Sequence, residues 1–208
     1  TGVQTCALPI SVQAGTLIKV RYNAALPIVF GPETTKDAID PPQFLWPVAS
    51  SVGDADRGIA AGAIKIEQTY TTPDRHHNQM EPHATTAVWD ADGSLTLYET
   101  TQHLYGARDL ISMVLGIPVD KINVLCEFLG GGFGGKAYVW PHTLLAILAA
   151  KALKRPVRLQ LTRAQMYSMV GHQAATIQTI SLAADTAGKL TGIRHESTTP
   201  TSVFDSYI

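Results

Sequence analysis

The chain has 208 residues, 45% of them hydrophobic and 16% charged, with a formal net charge of −1 and a pI near 6.6. This balance suits a globular protein with a sizeable core and argues against chain-wide attraction to nucleic acid or acidic membranes, so any anion site must be local. No apolar stretch approaches the roughly 20 residues of a membrane span, and the N-terminal region lacks the charged start, apolar middle and small-residue cleavage pattern of an export signal.

In chain order, residues 1–10 resemble a translated sequencing-library adapter and are set aside from fold reasoning. One cysteine then remains, Cys126 in an apolar strand-like run, read as a buried inert thiol with no disulfide or zinc framework around it. Residues 11–50 read as the tail of a preceding domain and a linker. Leu17–Tyr22 alternates like a half-buried strand, and breakers follow at Pro27, Pro32, Pro41, Pro42 and Pro47. Residues 51–208 read as the N-terminal portion of a truncated domain, in a chain expected to be a fragment open at both ends.

Within that portion Ala55, Ile59, Ala60 and Ala63 recur at helical spacing before Ile64–Tyr70 turns to period two. Thr85–Trp89 and Ser94–Tyr98 flank a glycine-containing turn and predict a hairpin. Leu104–Leu115 suits a helix closed by Gly116 and Pro118, and Lys121–Cys126 a strand. Pro141 fits the first turn of a helix that runs to Lys154 and is apolar nearly all round, the mark of burial. Pro156–Leu161 reads as a strand, Thr162 as the N-cap of a short helix through Met169, and Thr176–Ala183 with Leu190–His195 as a second hairpin. The expected fold class is α+β, with mixed sheets and packed helices.

Between the strand ending at Cys126 and the helix beginning at Pro141 lie five glycines, Gly130, Gly131, Gly132, Gly134 and Gly135, around Phe133. Glycine-rich backbone lets main-chain N–H groups approach an anionic ligand, so the loop reads as a cradle for a phosphate-bearing cofactor. A Walker loop needs Ser or Thr after the lysine, and Ala137 follows Lys136. A dinucleotide fold needs an acid about 20 residues on, and none occurs between Glu127 and Asp185. That acid-free stretch carries Lys136, Lys151, Lys154, Arg155, Arg158 and Arg163, which suits phosphates. A non-catalytic nucleotide- or phosphate-binding module using Gly130–Lys136 stays open as an alternative. Phe133, an aromatic between glycines, argues against a merely structural turn.

Met80-Glu-Pro-His-Ala84, Thr101-Gln102, Gly130–Lys136, Arg155-Pro-Val-Arg158 and Leu161-Thr-Arg-Ala-Gln165, in one order and spacing, resemble the molybdenum-binding large subunit of the xanthine dehydrogenase and aldehyde oxidase family. The likeness is greatest to bacterial periplasmic-type aldehyde oxidoreductases. It implies a partial molybdopterin-binding domain of an oxidoreductase that hydroxylates aldehydes or aromatic N-heterocycles with water as oxygen source. The implied cofactor is Mo-molybdopterin in its cytosine dinucleotide form, with [2Fe–2S] and FAD on partner subunits and no nucleic acid or membrane partner.

The resemblance further implies that backbone at Phe133 and Gly134 binds the cofactor, with Gly131, Gly132 and Gly135 forming the loop. The family's glutamate base lies far C-terminal and matches none of Glu33, Glu67, Glu81, Glu99, Glu127 or Glu196, so no catalytic residue is expected here and the chain alone should be inactive. No protein metal ligand is implied, because the pterin sulfurs hold the molybdenum. Glu81 and His83 are expected to orient backbone around the site. Arg75 occupies the position of a family glutamine, with Gln79 and His76 as the other candidates. Relatives work in cytoplasm or periplasm, so compartment stays open.

Overall fold

A computed structural model describes residues 13–21, 23, 30–40, 47 and 49–201. Residues 1–10, Tyr22 and most of the proline-rich segment, where parts of the sequence reading fall, lie outside the described residues. Two sheets organise the rest. The first contains β1 (Ile64–Thr72), β6 (Thr176–Ala184) and β7 (Leu190–Thr198) in the antiparallel order β1-β6-β7. The second contains β2 (Ala84–Trp89), β3 (Leu95–Glu99), β4 (Ile122–Leu125) and β5 (Val157–Gln160) in the order β4-β3-β2-β5.

Helix α1 (Ala55–Ala61) starts where Asp54 accepts the Arg57 N–H at 2.9 Å, and it packs on the face of the first sheet that carries Ala183. The two expected hairpins form. Gly93 and Gly188 both adopt φ +82°, the left-handed value that lets each turn close.

The second sheet positions the site. Strands β3 and β4 pair in parallel, so the chain must cross over between them, and helix α2 (Leu104–Leu115) makes that crossing. Gly116, at φ +65°, ends α2 as the sequence predicts. Helix α3 (Pro141–Leu153) then leads to β5 on the opposite edge. Ile111 of α2 and Ala146, Ile147 and Ala150 of α3 meet Ala87, Leu95, Leu97 and Ile122 in one buried cluster on one sheet face. Because Thr85 pairs with Glu99, Ala84 with Gln160 and Tyr98 with Leu125, one end of this sheet gathers four connections. These are the segment entering β2, the segment leaving β3, the glycine loop leaving β4 and the segment leaving β5.

Several expectations fail. Residues 17–21 pair with no strand, and Leu17, Ile18 and Val20 are exposed, so alternation alone does not make a strand without a neighbour to bond. Helix α3 is not buried all round. Its small and polar face (His142, Thr143, Ala146, Ile147, Ala150) meets the sheet, while Leu145, Leu148 and Leu153 are more than half exposed. Cys126 is half-buried, and its thiol donates to the Phe128 carbonyl at 3.4 Å. Thr162 and Gln165 do exchange capping bonds, Gln165 N–H to Thr162 Oγ1 and Thr162 N–H to Gln165 Oε1, but they open only a short 3-10 turn, Gln165–Tyr167.

Candidate functional site

The loop is a tight backbone fold rather than a helix N-terminus, since α3 begins only at Pro141. Gly135 N–H donates to Gly132 O at 2.9 Å and Ala137 N–H to Gly134 O at 3.1 Å. Inside the first of these turns both central residues have positive φ, Phe133 at +52° and Gly134 at +91°, the signature of a type I′ turn. Glycine takes this conformation freely, whereas a bulky L-residue does not. Phe133 nevertheless holds it while the residue is 75% exposed, so burial does not offset the strain. Phe133→Gly is expected to raise stability by about 1 kcal/mol, seen as a thermal midpoint a few degrees higher.

Three neighbouring segments grip this turn. Glu81 Oε2 accepts the Gly130 N–H at 2.9 Å and the Lys136 ammonium at 2.6 Å, while Glu81 N–H donates to the Gly130 carbonyl at 3.2 Å. One carboxylate thus ties both ends of the loop together. Burial pushes the Glu81 carboxyl up, but Lys136, the Gly130 N–H and His83 outweigh it and leave the carboxyl below its ordinary range. The approach is close: a Cβ on Gly130 would lie 2.5 Å from the Glu81 Cβ. From the segment after β3, Gln102 Oε1 accepts the Gly134 N–H at 3.1 Å, and Thr101 Oγ1 and Gln102 N–H both donate to the Lys136 carbonyl. From the other side, Trp140 Nε1 donates to the Gly135 carbonyl at 2.7 Å.

What the loop leaves free is informative. Among the described residues the N–H groups of Gly131, Gly132 and Phe133 find no acceptor, although Gly132 is a buried residue. Successive N–H groups on backbone of mixed handedness form an anion-accepting concavity, and here Gly131 and Phe133 have positive φ while Gly132 does not. An N–H left without a partner on a buried residue is a place for water or a ligand to bind. Of the five residues singled out in the sequence, Gly132, Phe133, Gly134 and Gly135 form this turn and Gly131 leads into it. The five divide into two roles: Gly131, Gly132 and Phe133 offer donors, and the N–H groups of Gly134 and Gly135 hold the turn's frame.

Two of the basic residues whose sequence context suggested phosphate are committed within the fold. Lys136 is fully buried against Glu81, which removes the lysine that a nucleotide loop needs. Arg163 donates to the carbonyls of Gln79 and Met80 at 2.7 Å each and clamps the segment entering β2. Arg75 exchanges backbone hydrogen bonds with Gln173, and its guanidinium makes no hydrogen bond or ion pair among the described residues. Of the other two candidates for the glutamine position, Gln79 is buried against Gly131, and His76 packs on Tyr167 and His172 in a shallow cleft.

The sequence offered His77, with His76 and His83, only as a hydrogen-bonding or surface histidine, whereas its ring would lie 2.8 Å from a Cβ on Gly135. Burial, His76 and His172 hold its imidazole below the ordinary value, against a backbone hydrogen bond at Gly171. It gave Gln102 no role, although the Thr101-Gln102 pair was the available signal. No group of three or more His, Cys, Asp or Glu residues is placed to hold a metal among the described residues.

A family model described as the molybdopterin cofactor-binding domain matches residues 39–207. The aldehyde oxidoreductase molybdenum-binding subunit PaoC of Escherichia coli K12 is 42% identical over 162 residues, which is 78% of this chain and 22% of that protein. An indole-3-acetaldehyde oxidase of Zea mays is 36% identical over 154 residues, 73% of this chain and 11% of that one. Among solved structures, quinoline 2-oxidoreductase from Pseudomonas putida 86 superposes with a TM-score of 0.74 at 26% identity, over 91% of this chain and 25% of that one. The chain therefore spans about a fifth of the length of the bacterial relative it matches.

Proposed function

Because the chain belongs to the molybdopterin cofactor-binding domain family, we propose that its glycine loop forms one wall of the cofactor site in an oxidoreductase. Gly131, Gly132 and Phe133 would hold the cofactor through backbone N–H groups, and Gly134 and Gly135 would frame the turn that aims them. The observation that carries this reading is the set of three consecutive unpaired donors, one on a buried residue, fixed by a strained and exposed Phe133. Bound there, Mo-molybdopterin would supply hydroxylation chemistry with water as oxygen source.

This chain's own residues present donors, exclude side chains from the concavity and hold the loop's ends through Glu81, Lys136 and Gln102. None of its glutamates is assigned as base, so the 208-residue chain by itself is expected to be inactive. We place the start of the cofactor-binding domain near residue 51.

The relatives' names support an aldehyde-oxidising enzyme, and the likeness to a quinoline oxidoreductase keeps aromatic N-heterocycles in the substrate class. We extend the proposal to the cytosine dinucleotide form of the cofactor and to iron–sulfur and flavin partner subunits. The nucleotide-module alternative finds no support, since Lys136 is committed to Glu81 and Ala137 occupies the magnesium-ligand position.

The test is Gly132→Ala. Its Cβ would sit 2.2 Å from Gln102 Oε1, displacing the acceptor of the Gly134 N–H and so disturbing the turn that aims the free donors. Purified full chain should retain about tenfold less molybdenum and pterin, with thermal stability lowered by no more than about 1 kcal/mol for the disturbed hydrogen bond. Unchanged cofactor content would refute the assignment.

A further inference from the structure

We propose that His83 is a positioning residue for the glycine loop, acting through Gln79, which is the shelf against which Gly131 lies. The cofactor consequence drawn below rests on the function proposed above; the positioning itself does not. His83 does not touch the loop. It is 1% exposed, and its Nε2 lies 3.0 Å from Gln79 Nε2; Gln79 is itself 2% exposed. The Gln79 Cβ lies 3.2 Å from where a Cβ on Gly131 would stand, so a shift of Gln79 as a residue moves the wall beneath the first free donor. The Gln79 carbonyl is pinned by Arg163 and the His83 carbonyl by the Leu161 N–H at 2.9 Å. Alongside these two backbone ties, the amide–imidazole bond is the side-chain tie that holds Gln79, its Cβ included, in place.

The chemistry of the bond selects one form of His83. A Gln79 amide donating to Nε2 requires that nitrogen to be bare, which makes His83 the neutral Nδ1–H tautomer. Burial first, then His142, Lys136 and His77, lower its pKa to about 4 against the opposing effect of Glu81, so the form the geometry demands is the form present at neutral pH.

Behind His83 the string continues into the body of the fold. His142, in the first turn of α3, meets the His83 ring edge-to-face at 5.5 Å. His142 Nε2 lies 3.4 Å from Thr143 Oγ1, which donates to Glu99 Oε1 at 3.3 Å; Thr85 donates to the other Glu99 oxygen. The Glu99 carboxylate also stands 3.7 Å from His142 Nε2, while His142 Nδ1 is the one buried side-chain polar atom without a partner among the described residues. The shelf under the loop is thus tied by directional bonds and ring packing to β2, β3 and α3.

The test is amide hydrogen exchange at neutral pH on the full chain. It reads Gly130, Gly134, Gly135 and Ala137, whose N–H groups are all bonded within the site, against the amides of β2 and β3. His83→Leu keeps bulk and removes the acceptor. It should speed the loop amides about tenfold, the loss of one buried hydrogen bond, and leave the sheet amides nearly unchanged. His83→Gln, which returns an acceptor, should restore protection. Should His83→Leu fail to fold, Gln79→Met must give the same local loosening.

Unchanged loop exchange, equal acceleration of loop and sheet, or failure of His83→Gln to restore protection would each overturn the proposal. Cofactor content separates it from the functional reading. A loosened loop with less retained molybdopterin supports both, whereas a loosened loop with full retention supports the positioning role and sinks the assignment of the loop to the cofactor.

Discussion

Glu81→Leu should destabilise the chain by about 3 kcal/mol, whereas Lys136→Met should cost about 1 kcal/mol or less. The asymmetry follows from burial. The Lys136 side chain is 0% exposed and Glu81 is its one ionic partner among the described residues, so removing the carboxylate strands an ammonium where water cannot reach it. Glu81, with its side chain 34% exposed, can be rehydrated when Lys136 is lost, and a methionine fills the vacated volume without a charge. The carboxylate also accepts the Gly130 N–H, so its removal frees the start of the loop as well as the end. Equilibrium urea denaturation of the two single variants and the double variant measures the effect. The double variant should be more stable than Glu81→Leu alone, because it removes the stranded charge. Equal costs for the two single changes would show that the pair behaves as a surface ion pair and does not lock the loop.

The sequence made some of these relationships legible and hid others, for reasons that differ by residue. Helix α2 was readable end to end because a local device closes it, Gly116 in the left-handed region, and the hairpins because their glycine turns are equally local. Residues 17–21 misled because alternation signals only a face, and a strand exists only if a neighbour bonds to it. Helix α3 misled because its apolar residues surround the axis while the sheet meets only the face of His142, Thr143, Ala146, Ile147 and Ala150. The glycine loop was legible as a loop, but which of its donors are free depends on Glu81 and Gln102, 49 and 32 residues away from their partners. Lys136 shows the limit most clearly. Its acid-free neighbourhood in the chain suggested phosphate, and the fold brings Glu81 to it instead, because the start of β2 and the finish of β4 lie at one end of the sheet.

Acid should weaken the fold through His83 well before carboxylates are protonated in bulk. The folded-state pKa is about 4 and the ordinary value is 6.5. Between those values the unfolded chain binds a proton that the folded chain refuses, so unfolding becomes easier as pH falls, by up to about 1.4 kcal/mol per pH unit and about 3 kcal/mol across the window. Above pH 6.5 the group is neutral in both states and contributes no slope; below pH 4 it is charged in both and the loss levels off. Burial is the main cause, followed by His142, Lys136 and His77, which oppose the imidazolium, while Glu81 favours it. His77 shifts in the same direction and adds its own slope, so the informative quantity is a difference between chains. Urea denaturation of the parent and of His83→Gln at pH 7.5, 6 and 5 should give a stability gap that moves in favour of the variant as pH falls, since glutamine has no proton to gain. Parallel pH profiles would mean that His83 titrates normally in the folded chain. In that case the neutral tautomer on which the Gln79 contact depends would be only partly populated near neutral pH.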